Sequence, residues 1–115
     1  MKKSVILSSL LAIAANNADG FTVDKNTLKP VTKGYAVALE ATQNSFGIDG
    51  LAKVLAYADT DSRVNAFGGW YNSDNGQFYF DATVVVSDLK EAIELGRRNH
   101  QIAIFNITDG KEIRL

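Results

Sequence analysis

From Gln77 to Val86 the chain alternates: Phe78, Phe80, Ala82, Val84 and Val86 fall on one side of an extended chain, Gln77, Tyr79, Asp81 and Thr83 on the other. This period of two follows the turn-forming run Asn72-Ser73-Asp74-Asn75-Gly76, and before that comes the apolar stretch Val64 to Tyr71. The three together predict a β-hairpin with one face against a core. The length of 115 residues limits how much can surround it, since a chain of this size buries roughly two-thirds of its unfolded surface and supports one core.

The segments flanking the hairpin carry complementary signals. Tyr35 to Leu39 alternates large residues with alanines and reads as a strand apolar on both faces. Ile48, Leu51, Ala52, Leu55 and Ala58 recur at helical spacing, with Asp49 and Lys53 four apart on the outside. A second helix begins at Asp88, a capping residue with Glu91 three places on. Its buried stripe is read as Leu89, Ala92, Ile93 and Gly96, with Glu94 facing Arg98. Gly96 weakens a helix by roughly 1 kcal/mol relative to alanine, which close packing against a sheet would justify. Gln101 to Asn106 follows as a strand, and Thr108-Asp109-Gly110 turns the chain back through Glu112 to Leu115.

The central order is therefore strand, helix, strand, strand, helix, strand. It predicts an α+β fold of ferredoxin-like split βαβ type, an antiparallel sheet with two helices on one face. An N-terminal helix and short terminal strands are added to it: Phe21 to Val23 before the core, with Pro30 keeping the next piece at an edge or outside the sheet, and the closing segment after it. Residues 1–115 are read as a single domain, divided into an N-terminal amphipathic helix over 1–19 and the sheet-and-helix body over 20–115.

The opening MKKSVILSSLLAIAANNADG also mimics a secretory signal, with two lysines, an apolar run and a cleavable Ala12-Ile13-Ala14. The helical reading is preferred because Ile6, Leu7, Leu10, Leu11, Ile13 and Ala14 share one side at 100° per residue and the serines Ser4, Ser8 and Ser9 the other. The run is too short to span a bilayer. Such a helix is expected to cover the second face of the sheet, in its own chain or in a partner's, or to join two copies in a homo-oligomer. Should residues 1–14 act as a signal peptide, the protein is exported; otherwise it is cytoplasmic.

Composition removes several function classes. There is no cysteine, hence no disulfide, thiolate nucleophile or zinc-thiolate site. A formal net charge of −1 gives no broad attraction to nucleic acid or to an anionic membrane. His100 stands alone at a helix end, and no serine sits in GxSxG. Asp59 and Asp61 read as a solvated helix terminus, and Asn72-x-Asp74-x-Gly76 lacks the late glutamate of a calcium loop, Thr83 standing there. No catalytic residue, metal site or cofactor is expected.

Two segments remain as candidates. Thr42-Gln43-Asn44-Ser45-Phe46-Gly47 lies between a strand and a helix, where free backbone N–H groups favour an anion and the polar side chains offer further donors. It contains no GxGxxG, GxxxxGK[ST] or basic residue, so the preferred reading makes Ser45 or Asn44 the helix cap and Phe46 a hydrophobic staple. Gly68-Gly69-Trp70-Tyr71, with Tyr79 and Asp81 opposite, could display aromatics on a sheet as RNA-recognition modules do. The basic residue of that signature is absent, and core packing of Trp70 and Phe80 is preferred. The candidate ligand- or partner-binding residues are Thr42, Gln43, Asn44, Ser45, Trp70, Tyr79 and Asp81.

The segments TQNSFGIDGL, GGWYNSDNGQFYFD, EAIELGRRNHQIAIF and the closing EIRL together resemble small uncharacterised bacterial proteins carried by prophages and integrative or conjugative elements, over roughly residues 20 to 115. The resemblance brings no catalytic residue with it. It implies a cytoplasmic, mobile-element setting in which small proteins act by binding host or element components. The expected function is thus a non-enzymatic protein-interaction module. Its alternatives are a small-molecule binder or modest enzyme using the 42–47 loop, and single-stranded RNA binding on the sheet face.

Overall fold

The computed structural model describes residues 2–115; Met1, the first residue of the expected N-terminal helix, lies outside them. In chain order the elements are α1 (Lys3–Ala15), β1 (Phe21–Asp24), β2 (Tyr35–Ala38), a 3₁₀ turn (Glu40–Thr42), β3 (Ser45–Phe46), α2 (Gly47–Ala58), β4 (Ala66–Asn72), β5 (Gln77–Val86), α3 (Leu89–Arg98), β6 (Ala103–Asn106) and β7 (Lys111–Arg114). The fold is α+β, with three helices and a seven-stranded antiparallel sheet in the order β1-β4-β5-β2-β6-β7, β3 pairing with β5 beside β2.

The expected hairpin is the centre of the sheet. β4 and β5 pair from Ala66↔Thr83 to Asn72↔Gln77, and the turn closes with Gly76 at φ +71°, its N–H donating to the Asn72 carbonyl at 2.8 Å. The alternation sets the two faces as predicted: Phe80, Ala82 and Val84 are buried on the helix side. Val37 of β2, Val23 of β1 and Ile104 of β6 join them there through the strand registers.

All three helices lie on that one face, which corrects the expectation that α1 covers the other. Lys3 and Ile6 of α1 gather with Leu55, Ala58 and Phe67 around a hollow of about 160 Å³, and Lys3 pairs with Asp59 at the end of α2. Leu10 is wholly buried and Ala14 nearly so. Ile6, Leu7, Leu11 and Ile13 are partly buried against the same core, so the apolar side of α1 packs within its own chain. Its end is closed by Asn16 and Asn17, whose side-chain amides donate to the carbonyls of Ala12 and Ile13 at 3.0 and 2.8 Å.

Gly96 confirms the close-packing argument for α3. A β-carbon built there would stand 2.7 Å from Leu115 Cδ1 and 2.8 Å from Ile104 Cγ2, so glycine lets the helix lie directly on β6 and the C-terminus. Asp88 caps α3 by accepting from the Glu91 N–H at 3.0 Å. The stripe is shifted by part of a turn from the sequence reading: Ala92, Leu95 and Gly96 are buried, while Leu89 is exposed. Neither Asp49/Lys53 nor Glu94/Arg98 is among the ion pairs of the described residues.

The sheet's edges differ from its centre. Val23 of β1 bridges outward to Pro30, which sits at the edge as expected. At the far side β7 reads Lys-Glu-Ile-Arg, with only Ile113 turned toward the core cluster. No helix of the described residues is long and apolar enough to cross a membrane.

Candidate functional site

The helix-free face carries the most unusual surface of the molecule. β4 and β5 turn Trp70 and Tyr79 outward as a directly opposed pair whose rings stack at 5.1 Å between centroids and 20° between planes. Phe46 of β3, opposite Tyr79 on the other side, tilts against it at 5.4 Å. Trp70 is 47% exposed, so the expectation that it packs in the core is overturned; Phe80, one residue on from Tyr79, does so from the opposite face. The missed signal was parity, since Trp70 pairs with Tyr79 and must share its face, not that of Phe80.

Beside the aromatic row lies a gap in the sheet. β5 is long enough to pair with β2 through Thr83–Val86 and with β3 through Tyr79 and Phe80, and residues 39–44 arch away between the two. Thr42 repairs the ladder across this arch. Its buried hydroxyl accepts from the Ala82 N–H at 3.0 Å and donates to the Leu39 carbonyl at 3.4 Å, while Leu39 N–H donates to the Ala82 carbonyl at 3.0 Å. A side chain thus replaces the missing backbone partner.

The arch and the aromatic row enclose a cleft of about 350 Å³. Six of the seven residues singled out from sequence line it: Thr42, Gln43, Asn44, Trp70, Tyr79 and Asp81. Ser45 does not. Its side chain is buried on the helix side, where a β-carbon on Gly50 would come within 2.5 Å of the Ser45 carbonyl carbon. Its Oγ has no hydrogen-bond partner among the described residues.

The capping reading of this segment is also corrected. α2 starts at Gly47 with Phe46 in the capping position and no side-chain cap. Asn44 instead takes a left-handed backbone, φ +63°, that turns the arch back into β3. Phe46 is no staple, lying exposed on the aromatic row, and Ile48 is 61% exposed because the buried side of α2 runs through Gly50, Leu51, Val54, Leu55 and Ala58.

Asp81 is the chemical centre of the cleft. It is half-buried, and its one side-chain hydrogen-bond partner among the described residues is the Thr83 hydroxyl. Burial pushes its carboxyl pKa up, against the smaller opposing pull of the Thr83 bond. No lysine, arginine or histidine is among the lining residues. The other expected contenders are committed elsewhere. Asp61 is held by Arg63 and by the Tyr57 hydroxyl at 2.6 Å, which keep its carboxyl well below the usual range, the Arg63 bond first. His100 Nδ1 lies 3.0 Å from Glu40 Oε2 at the surface. Among the described residues no group of three acidic or histidine side chains converges as a metal site would require.

Gln101 completes the cleft and was not foreseen; it comes from the α3–β6 connection, which sequence gave no reason to place beside residues 38–44. Asn99 makes that link by accepting from the Glu40 N–H at 3.1 Å, and Gln101 Nε2 donates to the Asn99 carbonyl at 3.0 Å. No protein-family model, curated protein or solved structure matches the chain.

Proposed function

We propose that this chain is a non-enzymatic binding module whose recognition site is the cleft beside Trp70 and whose ligand is a small molecule. The observation that carries this reading is convergence: residues from four separate segments meet around one hollow on the face the helices leave free. A volume of about 350 Å³, one aromatic wall and a few polar groups match what small-ligand sites require. The support beneath it is ferredoxin-like in this reading. The inner strands β4-β5-β2-β6 with α2 and α3 keep the split βαβ order, and β1 and β7 are additions at its edges. The resemblance to mobile-element proteins favours a cytoplasmic setting and a host or element component as the target.

A protein partner, or a second copy, is favoured by one further observation: Phe46, Trp70 and Phe105 are all exposed on the same face. Single-stranded RNA would find stacking surfaces there too, but the face carries Asp24, Asp81 and Glu112 against Arg114, which opposes a phosphate backbone.

Native mass spectrometry of the protein isolated from its own host tests the small-ligand reading, with Trp70→Ala prepared in parallel. A retained small mass that disappears in the variant is expected. A wild-type protein carrying only a protein or RNA partner, or a small mass indifferent to Trp70→Ala, overturns it.

A further inference from the structure

The charge pattern of the cleft narrows the class of ligand. The strand register places Asp81 two residues beyond Tyr79 on the same face, and opposite Asp81 stands Gly68. Since glycine has no side chain, the cross-strand neighbour that would ordinarily shield or pair a carboxylate is missing. Built onto Gly68, a β-carbon would stand 2.8 Å from Asp81 Oδ1, 3.1 Å from Oδ2 and 3.1 Å from Thr83 Oγ1; the carboxylate occupies that space itself.

Within the lining, then, a half-buried carboxylate has one neutral hydroxyl partner and no cation. An anionic ligand would meet an unneutralised carboxylate there and no cation to offset it. A carboxylate drawn out of water is stabilised by an opposite charge within about 4–6 Å. Trp70 also lines the cleft; one face of its ring is stacked on Tyr79, the residue is half exposed, and an indole is the best of the aromatic side chains at attracting a cation to a free face. Gln43 and Asn44 also line the cleft, and their neutral amides can turn an oxygen acceptor toward a cation.

We propose that the cleft takes a small organic ammonium ion, its charge set against the Asp81 carboxylate and its apolar substituents against the face of Trp70. This rests on reading the cleft as the binding site and specifies what that site selects. Neutral ligands of the same shape would use the aromatic wall but leave the carboxylate unanswered. Because binding favours the ionised form of Asp81, affinity rises with pH through its titration, and binding at a pH between the carboxyl pKa of the complex and that of the free protein releases a proton.

The chain has a single tryptophan, so its fluorescence reports directly on the cleft. Choline and its uncharged carbon analogue 3,3-dimethyl-1-butanol would be titrated into the intact protein and into Asp81→Asn. Choline is expected to perturb the fluorescence saturably and to bind about tenfold or more tightly than the analogue, an advantage Asp81→Asn removes. Calorimetry on the wild type in buffers of different ionisation heat gives an independent readout, proton release on choline binding at acid pH. Equal affinity for the two compounds, or a choline preference unchanged in Asp81→Asn, refutes the ammonium assignment while leaving the cleft as a site for neutral ligands. No response to either compound, together with a host-isolated protein free of small molecules, removes both.

Discussion

The Asp81 carboxylate lies directly against Gly68 on the neighbouring strand, at a separation that leaves no room for a side chain there. Gly68 does not line the cleft, yet it makes the space that the Asp81 carboxylate occupies. Gly68→Ala is expected to displace Asp81 and Thr83 and to lower stability by about 1–3 kcal/mol, the range for overpacking. Urea unfolding measures the loss; a variant as stable as the parent would show that the carboxylate moves aside freely.

Asp81 itself is expected to weaken the fold at neutral pH. Burial raises its folded-state pKa above the unfolded value of about 3.9, so the folded chain binds the extra proton and stability falls as pH rises from the unfolded to the folded value. Asp81→Asn keeps an acceptor for the Thr83 hydroxyl and removes the charge. It should be more stable than the parent at pH 7, the gap closing as pH falls below the unfolded value of about 3.9. Thermal melts at the two pH values decide it, and an asparagine variant less stable at pH 7 would contradict the burial argument.

Thr42→Val should destabilise by about 1–3 kcal/mol, because it leaves the Ala82 N–H without an acceptor inside the sheet. Hydrogen exchange locates the effect: faster exchange at Ala82 is expected, with β6 and β7 unchanged. Uniformly faster exchange would mean that Thr42 supports the whole fold and not this junction alone.

The contact between α2 and β3 yields an opposed pair of outcomes. Gly50→Ala would press a methyl onto the Ser45 backbone, which no side-chain rotation relieves, and should cost about 3 kcal/mol or more. Ser45→Ala deletes a buried hydroxyl that has no partner among the described residues, and should leave stability unchanged or raise it by up to about 1 kcal/mol. Denaturation midpoints compare the two directly. A marked loss in Ser45→Ala would reveal a hydrogen bond at Oγ.

Sequence patterning told most about the hairpin and least about the arch. The period of two over Gln77–Val86 is a local property, as is the cap at Asp88, and both survive unchanged in the structure. The close approach at Gly96 was also legible, because a glycine inside a helix calls for a neighbour. The arch was misread because its geometry depends on β5 serving two strands in succession, a non-local fact. Asn44 spends its conformational tolerance on a left-handed turn there, and Ser45 turns inward where glycine at position 50 admits it. Trp70 was misplaced for a similar reason: aromatics favour burial on average, but strand register, not average preference, selects the face.

The two margins of the sheet have a bearing on how the protein can fail. An unprotected outer strand invites another chain to add itself by main-chain pairing, the first step of fibrous aggregation. Here Pro30, which has no N–H to offer, occupies the border beside Val23, and the opposite border is short and rich in charge at Lys111, Glu112 and Arg114. Strand-by-strand growth is discouraged at both ends, so the molecule can keep an oily, glycine-floored surface open to water without becoming a template for its own polymer.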